Sequence, residues 1–183
     1  LTQQQEALTR ELAAPETVAF VARMRTFYGA EAAPVFQVRF VWWPYANRTQ
    51  AKLRGGSIVL FSPPGVEDDW APIVLHEYAH FLSAGQPASG REALAAAFAR
   101  LCPAALALPN PLNALEEPLA IYWGQYRFER EVRGKTLSSQ SSWYVQPHAD
   151  RAAKAIAAAF PADQPAPALG ESPLLQAAAS VCE

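Results

Sequence analysis

Two histidines four residues apart are the residues of this chain whose type and spacing most directly indicate chemistry. They belong to the segment His76-Glu77-Tyr78-Ala79-His80. Side chains at this spacing share one face of a helix, so both imidazoles can direct a nitrogen at a single Zn²⁺ ion about 2.0–2.1 Å away. Glu77 would project beside the ion, where a carboxylate can take a proton from a zinc-activated water. The alternative is a buried helix with two incidental histidines.

The pentapeptide resembles the active-site signature of the zincin metallopeptidases. The metzincin branch of that family needs a glycine and a third histidine soon afterwards, but His80 is followed by FLSAGQPASGR. The gluzincin branch takes its third ligand from a glutamate on a later helix, often in the pattern E-G-L-A, and Glu117-Pro-Leu-Ala120 resembles it. The resemblance covers about 52–128. It implies a zinc site of His76, His80 and Glu117, and Ala120 would let the two helices approach closely.

Glu116 competes with Glu117 for the role of third ligand. Glu116 could instead cap its helix, or accept a hydrogen bond from a zinc-bound histidine through the ring nitrogen that does not bind the ion. Both glutamates could also be solvated residues of a first helical turn. The spacing from His80 to the glutamates is long for a compact gluzincin. A helix at 91–101, beginning with Ser89 as its cap, is therefore expected to be an insertion between the two ligand helices.

The resemblance also implies a substrate strand and a donor for the oxyanion of the scissile carbonyl. The edge strand of a zincin sheet pairs with an extended substrate, and Lys52–Phe61 is placed to be that strand, or else an ordinary hairpin partner of the strand before it. Relatives use a His or a Tyr from the C-terminal part as the donor. The candidates are His148, as a catalytic residue, and Tyr144, beside the substrate; the alternative for His148 is a surface position.

The helices and strands predicted around these residues, together with the resemblance, indicate an α+β, zincin-like fold. It has a small N-terminal sheet packed on the motif helix and a mostly helical C-terminal half. We expect a single domain over 1–183, with an upper part at about 1–85 and a lower part at about 86–183. The predicted strands are Val35–Trp43 and Lys52–Phe61, the second with a glycine pair that permits a bulge. Helices are predicted at 3–13, from Pro15 to Gly29, at 148–160 and from Ser172. Another begins at Asp68 and Asp69, whose carboxylates would cap its free N–H groups, and ends at Gly85; a long one runs from Asn113, with Glu116 at capping-box spacing, to about Val132.

Composition limits the classes of function. The chain has 183 residues, of which 51% are hydrophobic and 17% charged, which excludes intrinsic disorder. A net charge of −2 without a basic run argues against nucleic acid as a partner. The longest apolar stretch, 93–108, is interrupted by Arg100 and Pro103, so no transmembrane segment is expected. We expect a monomer acting on a peptide or protein substrate.

The two cysteines, Cys102 and Cys182, are either a disulfide or two buried thiols. A bond would close a loop contributing about 4.5 kcal/mol in the chain-entropy model and would indicate an oxidising compartment. Because the chain also begins at Leu1, we expect a periplasmic or secreted protein. Two further classes of function are open at this point: a zinc-stabilised binding or inhibitory module without turnover, and a metal-free structural domain.

Overall fold

The computed structural model describes residues 2–30, 36–45, 47–63, 65 and 68–182. The helices and strands follow one another as α1 Thr2–Ala13, α2 Pro15–Phe27, β1 Gln37–Trp42, β2 Gln50–Arg54, β3 Ser57–Ser62, α3 Trp70–Ala84, α4 Ala88–Leu101, a 3₁₀ helix Pro103–Ala107, α5 Asn113–Ile121, a π-helix Tyr122–Arg127, α6 Phe128–Glu131, α7 Pro147–Ala159 and α8 Ser172–Ala179. Helices dominate after the sheet, which confirms the α+β class and the helical C-terminal half.

The three strands form one small sheet in the order β1-β3-β2, with β1 parallel to β3 and β2 antiparallel to it. One face of the sheet packs on α3. There Ile58 and Leu60 are fully buried, and the ring of Phe40 lies 5.2 Å from that of Trp70. The predicted sheet on the motif helix is therefore confirmed, and β2 is its outer strand on the side away from β1.

The prediction of one strand over Lys52–Phe61 is wrong, because the chain reverses at Gly55 and Gly56. Both glycines have positive φ values, 51° and 78°, which is the backbone that a two-residue hairpin turn requires and glycine adopts without a steric penalty. Arg54 consequently pairs with Ser57. The hairpin partner of β3 is thus β2 and not β1, which pairs with β3 in parallel. Val35, the first residue of the predicted first strand, lies outside the described residues.

The long helix predicted from Asn113 is continuous but changes its hydrogen-bonding pattern midway. It runs as α5, then as the π-helix, then as α6. Pro118 lies inside α5 and is buried. The π-helix packs against α3, and Phe20 of α2 meets this part of the chain through ring contacts of 5.6 Å with both Trp123 and Phe128. The π geometry thus occurs in the part of the helix that packs on α3, and π-helical turns are frequent at functional sites.

Predicted side-chain caps are not made at the starts of α3, α4 and α5. Asp68 accepts a hydrogen bond from the Thr49 backbone N–H at 2.6 Å. Asp69 forms an ion pair with Arg133, whose Nη2 lies 2.9 Å from its Oδ1. Ser89 lies inside α4 and does not precede it. The carboxylates expected to cap helices instead connect separate parts of the chain.

Cys102 and Cys182 are joined by a disulfide, with their Cα atoms 5.5 Å apart. The bond links the end of α4 to the residues that follow α8. The disulfide alternative is thereby confirmed over two free thiols. Within the described residues, no helix has the length and apolar character needed to cross a membrane.

Candidate metal centre

His76 and His80 lie on one face of α3, as their spacing predicts. His76 is buried, with 5% of its surface exposed, and His80 is half-buried. Their rings meet edge to face with centroids 4.9 Å apart, and their Nε2 atoms are 3.2 Å apart. Both rings therefore present the same nitrogen to one point beside the helix.

Glu117, on α5, completes a group of three donors. Its Oε1 lies 3.4 Å from His76 Nε2, and its Oε2 lies 3.3 Å from His80 Nε2. Donors held about 2.0–2.1 Å from one ion at tetrahedral angles lie about 3.3–3.4 Å from each other. The two histidine nitrogens have nearly that separation, and each carboxylate oxygen of Glu117 lies close to one of them. The three residues therefore surround one point where a metal ion could be held.

The charges of the three groups stabilise one another. Burial alone would raise the pKa of Glu117, but hydrogen bonds from His76 and His80 lower it well below its usual range. For His80, burial lowers the pKa, but the hydrogen bond and charge of Glu117, with the charges of Glu77 and Glu116, raise it above its ordinary value. Glu117 is therefore ionised at neutral pH, which is the state that binds a metal.

Glu116 points away from this cluster. Its Oε1 accepts a hydrogen bond from the Ser83 hydroxyl at 2.5 Å and lies 3.8 Å from an Arg91 nitrogen. Of the two adjacent glutamates, only Glu117 reaches the histidines. Glu116 instead joins α5 to α3 and α4, and thereby holds the helix that carries Glu117.

Tyr144 lies against the same cluster. Its ring stacks on that of His76, with centroids 5.3 Å apart and planes 18° apart. Burial, and then a hydrogen bond with Glu117, raise the pKa of its phenol well above the ordinary value. The hydroxyl therefore keeps its proton and can donate a hydrogen bond beside the Glu117 carboxylate.

Asp150, on α7, fixes the loop that carries Tyr144. Its Oδ1 accepts the backbone N–H groups of Trp143 at 2.6 Å and Tyr144 at 3.1 Å, and its Oδ2 accepts a bond from Lys154 at 2.6 Å. Burial opposes ionisation, but these donors lower the pKa of Asp150 below its ordinary value. A buried carboxylate thus holds the backbone from which the Tyr144 ring reaches His76.

An open cavity of about 250 Å³ adjoins the cluster. Glu77, which is half-buried, lines it, and its charge acts on both His80 and Tyr144. The lining residues come from the segment leading into β2, from α3, from the π-helix and from the Tyr144 loop: Arg48, Thr49, Gln50, Ala51, Ile73, His76, Glu77, Gln125, Tyr144 and Val145. Glu77 therefore faces a space large enough for a side chain of a substrate.

His148, the other candidate for the oxyanion donor, is exposed in the first turn of α7. It is absent from the cavity lining and from the metal-ligand group found among the described residues. The structure thus brings five of the six predicted site residues together, and His148 is the one that it leaves apart.

Gly124 is a site residue that the sequence reasoning missed. A Cβ atom there would lie 2.4 Å from the backbone nitrogen of His76 and 2.6 Å from its Cα. Only a residue without a side chain lets the π-helix approach the backbone of the first histidine this closely. The available signal was a glycine two turns after Glu117, in the middle of a helix, where it costs about 1 kcal/mol relative to alanine.

Comparison with protein-family models, with curated proteins and with solved structures gave no match at any of the three levels. The candidate site is therefore defined by its own side chains: two imidazoles, one carboxylate whose two oxygens reach them, a second carboxylate in the adjoining cavity and a protonated phenol.

Proposed function

We propose that this protein is a zinc-dependent metallopeptidase that hydrolyses peptide bonds. The observation that best supports it is the convergence of His76, His80 and Glu117 on one point beside a cavity that Glu77 and Tyr144 line. Two imidazoles and one carboxylate are a donor set that zinc takes in catalytic sites, with the fourth position left for water or substrate.

In this proposal each residue has one task. His76, His80 and Glu117 hold the ion, which when bound supplies a water of lowered pKa and polarises the substrate carbonyl. Glu77 accepts the proton of the attacking water and passes it to the leaving amine. Tyr144 donates its hydroxyl hydrogen to the oxygen that becomes negatively charged in the transition state.

The substrate in this proposal is an extended peptide lying along β2. The outer edge of β2 can pair with another strand, and Gln50 and Ala51 of this strand also line the cavity. Backbone hydrogen bonds would hold the peptide, and its alternate side chains would enter the cavity. We further propose a periplasmic or secreted protein, because the Cys102–Cys182 bond persists in an oxidising compartment.

Elemental analysis tests the metal assignment. The purified protein should hold one equivalent of zinc per chain, and His76→Ala should lose it. His148→Ala is the matched control, because this histidine is exposed and outside the cluster, and it should keep the full equivalent. One equivalent of zinc remaining in His76→Ala would refute the ligand set.

Digestion of a broad peptide library, with and without a chelator, tests the reaction. Cleavage should require zinc, and Glu77→Gln should keep the metal while losing about 10²–10⁴-fold in turnover. Glu92→Gln, at an exposed position on α4, should cleave as the wild type does. Full turnover by Glu77→Gln would refute the mechanism, whereas bound zinc without any cleavage would instead identify a binding or inhibitory module.

A further inference from the structure

The segment that forms the sheet carries positive charge only. Between Glu31 and Glu67 the chain has four basic residues, Arg39, Arg48, Lys52 and Arg54, and no acidic one, although its overall net charge is −2. This is a local excess of positive charge in a chain that is otherwise acidic.

The strand register places three of these cations on one face of the sheet. Arg39 and Lys52 both lie opposite Val59 of β3, on either side of it, and Arg54 lies two residues further along the same face of β2. All three side chains are exposed. The other face of β2 carries Ala51 and Leu53, which pack against the core, so the cations are directed away from it.

These cations have no carboxylate partner within the described part of the chain. Arg39 donates a hydrogen bond to Gln37 at 3.3 Å, and no ion pair involves any of the four. Arg133 shows the contrast, since it binds the carboxylates of Glu11, Asp69 and Glu129. Among the residues that the structure describes, the sheet therefore presents positive charges that no carboxylate balances.

The charged face continues into the candidate active-site cavity. Arg48 precedes β2 and lines that cavity together with Glu77. The backbone of β2 makes no hydrogen bond outside the sheet among the described residues. A peptide added to this edge would alternate its side chains between the two faces, so that every second one lies across from Lys52 or Arg54.

We infer that the preferred substrate is an acidic polypeptide with Asp or Glu at alternate positions, docked along β2 with its carboxylates facing Lys52, Arg54 and Arg48. This rests on the proposed peptidase function. Opposite charges directly across a strand pair strengthen binding by up to about fivefold each. The Glu77 carboxylate disfavours an acidic side chain deep in the cavity, so the acidic residues belong on the outer face.

Peptide binding to the zinc-loaded Glu77→Gln protein tests this inference without turnover. The probes are a fluorescently labelled peptide in which Glu alternates with Ala, and its counterpart with Gln in place of Glu. By fluorescence anisotropy at low ionic strength, the acidic peptide should bind about tenfold more tightly. The advantage should disappear in about 1 M NaCl, where the Debye length is about 3 Å.

Charge variants locate the preference on the sheet. In the Glu77→Gln background, Lys52→Gln with Arg54→Gln should abolish the difference between the two peptides. Arg100→Gln with Arg151→Gln, two exposed arginines on other elements, should retain it. Equal binding of the two peptides, or an unchanged preference in the Lys52/Arg54 variant, would overturn the inference.

Turnover by the wild type separates this inference from the function on which it rests. Cleavage of both peptides at equal efficiency would overturn the acidic preference and leave the peptidase standing. Cleavage of no peptide, with the binding preference intact, would refute the peptidase and retain the acidic docking surface. Binding of phosphatidylglycerol vesicles without binding of the acidic peptide would also overturn the inference.

Discussion

Replacing Gly124 by alanine should destabilise the fold and weaken zinc binding together. The added Cβ would meet the nitrogen, Cα and Cβ of His76 at 2.4, 2.6 and 2.9 Å. Ordinary contacts between carbon atoms are about 3.5–4.0 Å. Since the obstructing atoms belong mainly to the backbone of α3, no side-chain rotation can remove the clash, and the π-helix must move away by about 1 Å.

The magnitude follows from two opposing terms. Alanine gains up to about 1 kcal/mol over glycine in a helix interior, and inserting a methyl group into a packed region costs about 1–3 kcal/mol, occasionally more. Backbone contact places Gly124 at the upper end of that cost, so we expect a net loss of about 2 kcal/mol. The shift also moves His76 relative to Glu117, and metal ligands tolerate only about 0.2 Å.

Urea denaturation and competitive zinc titration measure the two effects. Gly90→Ala is the matched control, because Gly90 lies in α4 with nothing within 4 Å of its Cβ position, and it should be neutral or stabilising by up to about 1 kcal/mol. If Gly124→Ala unfolds at the wild-type urea concentration and binds zinc equally well, the close packing of the π-helix on α3 does not support the site.

Three further outcomes are expected. Tyr144→Phe should keep zinc but lose about 10²–10³-fold in kcat, and equal kcat in the two proteins would remove the tyrosine from the mechanism. Replacing both Cys102 and Cys182 by serine should lower the free energy of unfolding by about 2–5 kcal/mol; an unchanged urea midpoint would contradict this. The lowered pKa of Asp150 stabilises the fold above the ordinary aspartate value of 3.8, and this stabilisation is lost as the pH falls below it. Asp150→Asn should therefore flatten the acid limb of the stability profile, which urea titrations between pH 2 and 6 would reveal, and an unaltered acid limb would exclude Asp150 as its source.

Local periodicity was sufficient to predict the histidine pair, because two residues on one helix need no other part of the chain to share a face. Glu117 required more, since no local pattern connects it to residues almost forty positions earlier; it came from a resemblance to gluzincins. The structure brings it to the histidines through the packing of α5 on α3. Gly124 depends on the distance between two helices, which no sequence pattern expresses.

The errors in the predicted elements have a common physical cause. A carboxylate near a helix start was assigned to the nearest free N–H groups, but Asp69 and Glu116 bind Arg133 and Ser83 instead. Both carboxylates therefore bind side chains from distant parts of the chain and not the free N–H groups of their own helices. The hairpin at Gly55 and Gly56 was missed for a local reason. The glycine pair was interpreted as a bulge within one strand, although it is also the signal of a two-residue turn.

The disulfide closes residues 102–182 into a covalent ring and leaves residues 1–101 as a tail outside it, and the site has residues in both. The ring closed by Cys102 and Cys182 contains Glu117, Gly124 and Tyr144, whereas both histidines precede it. A protease that nicks the exposed stretch at 138–142 would therefore leave two fragments tied together, each still holding part of the centre. His76, His80 and Glu117 would all lie on the first fragment and Tyr144 on the second, so the two pieces of a nicked chain should stay covalently joined until a reductant is supplied.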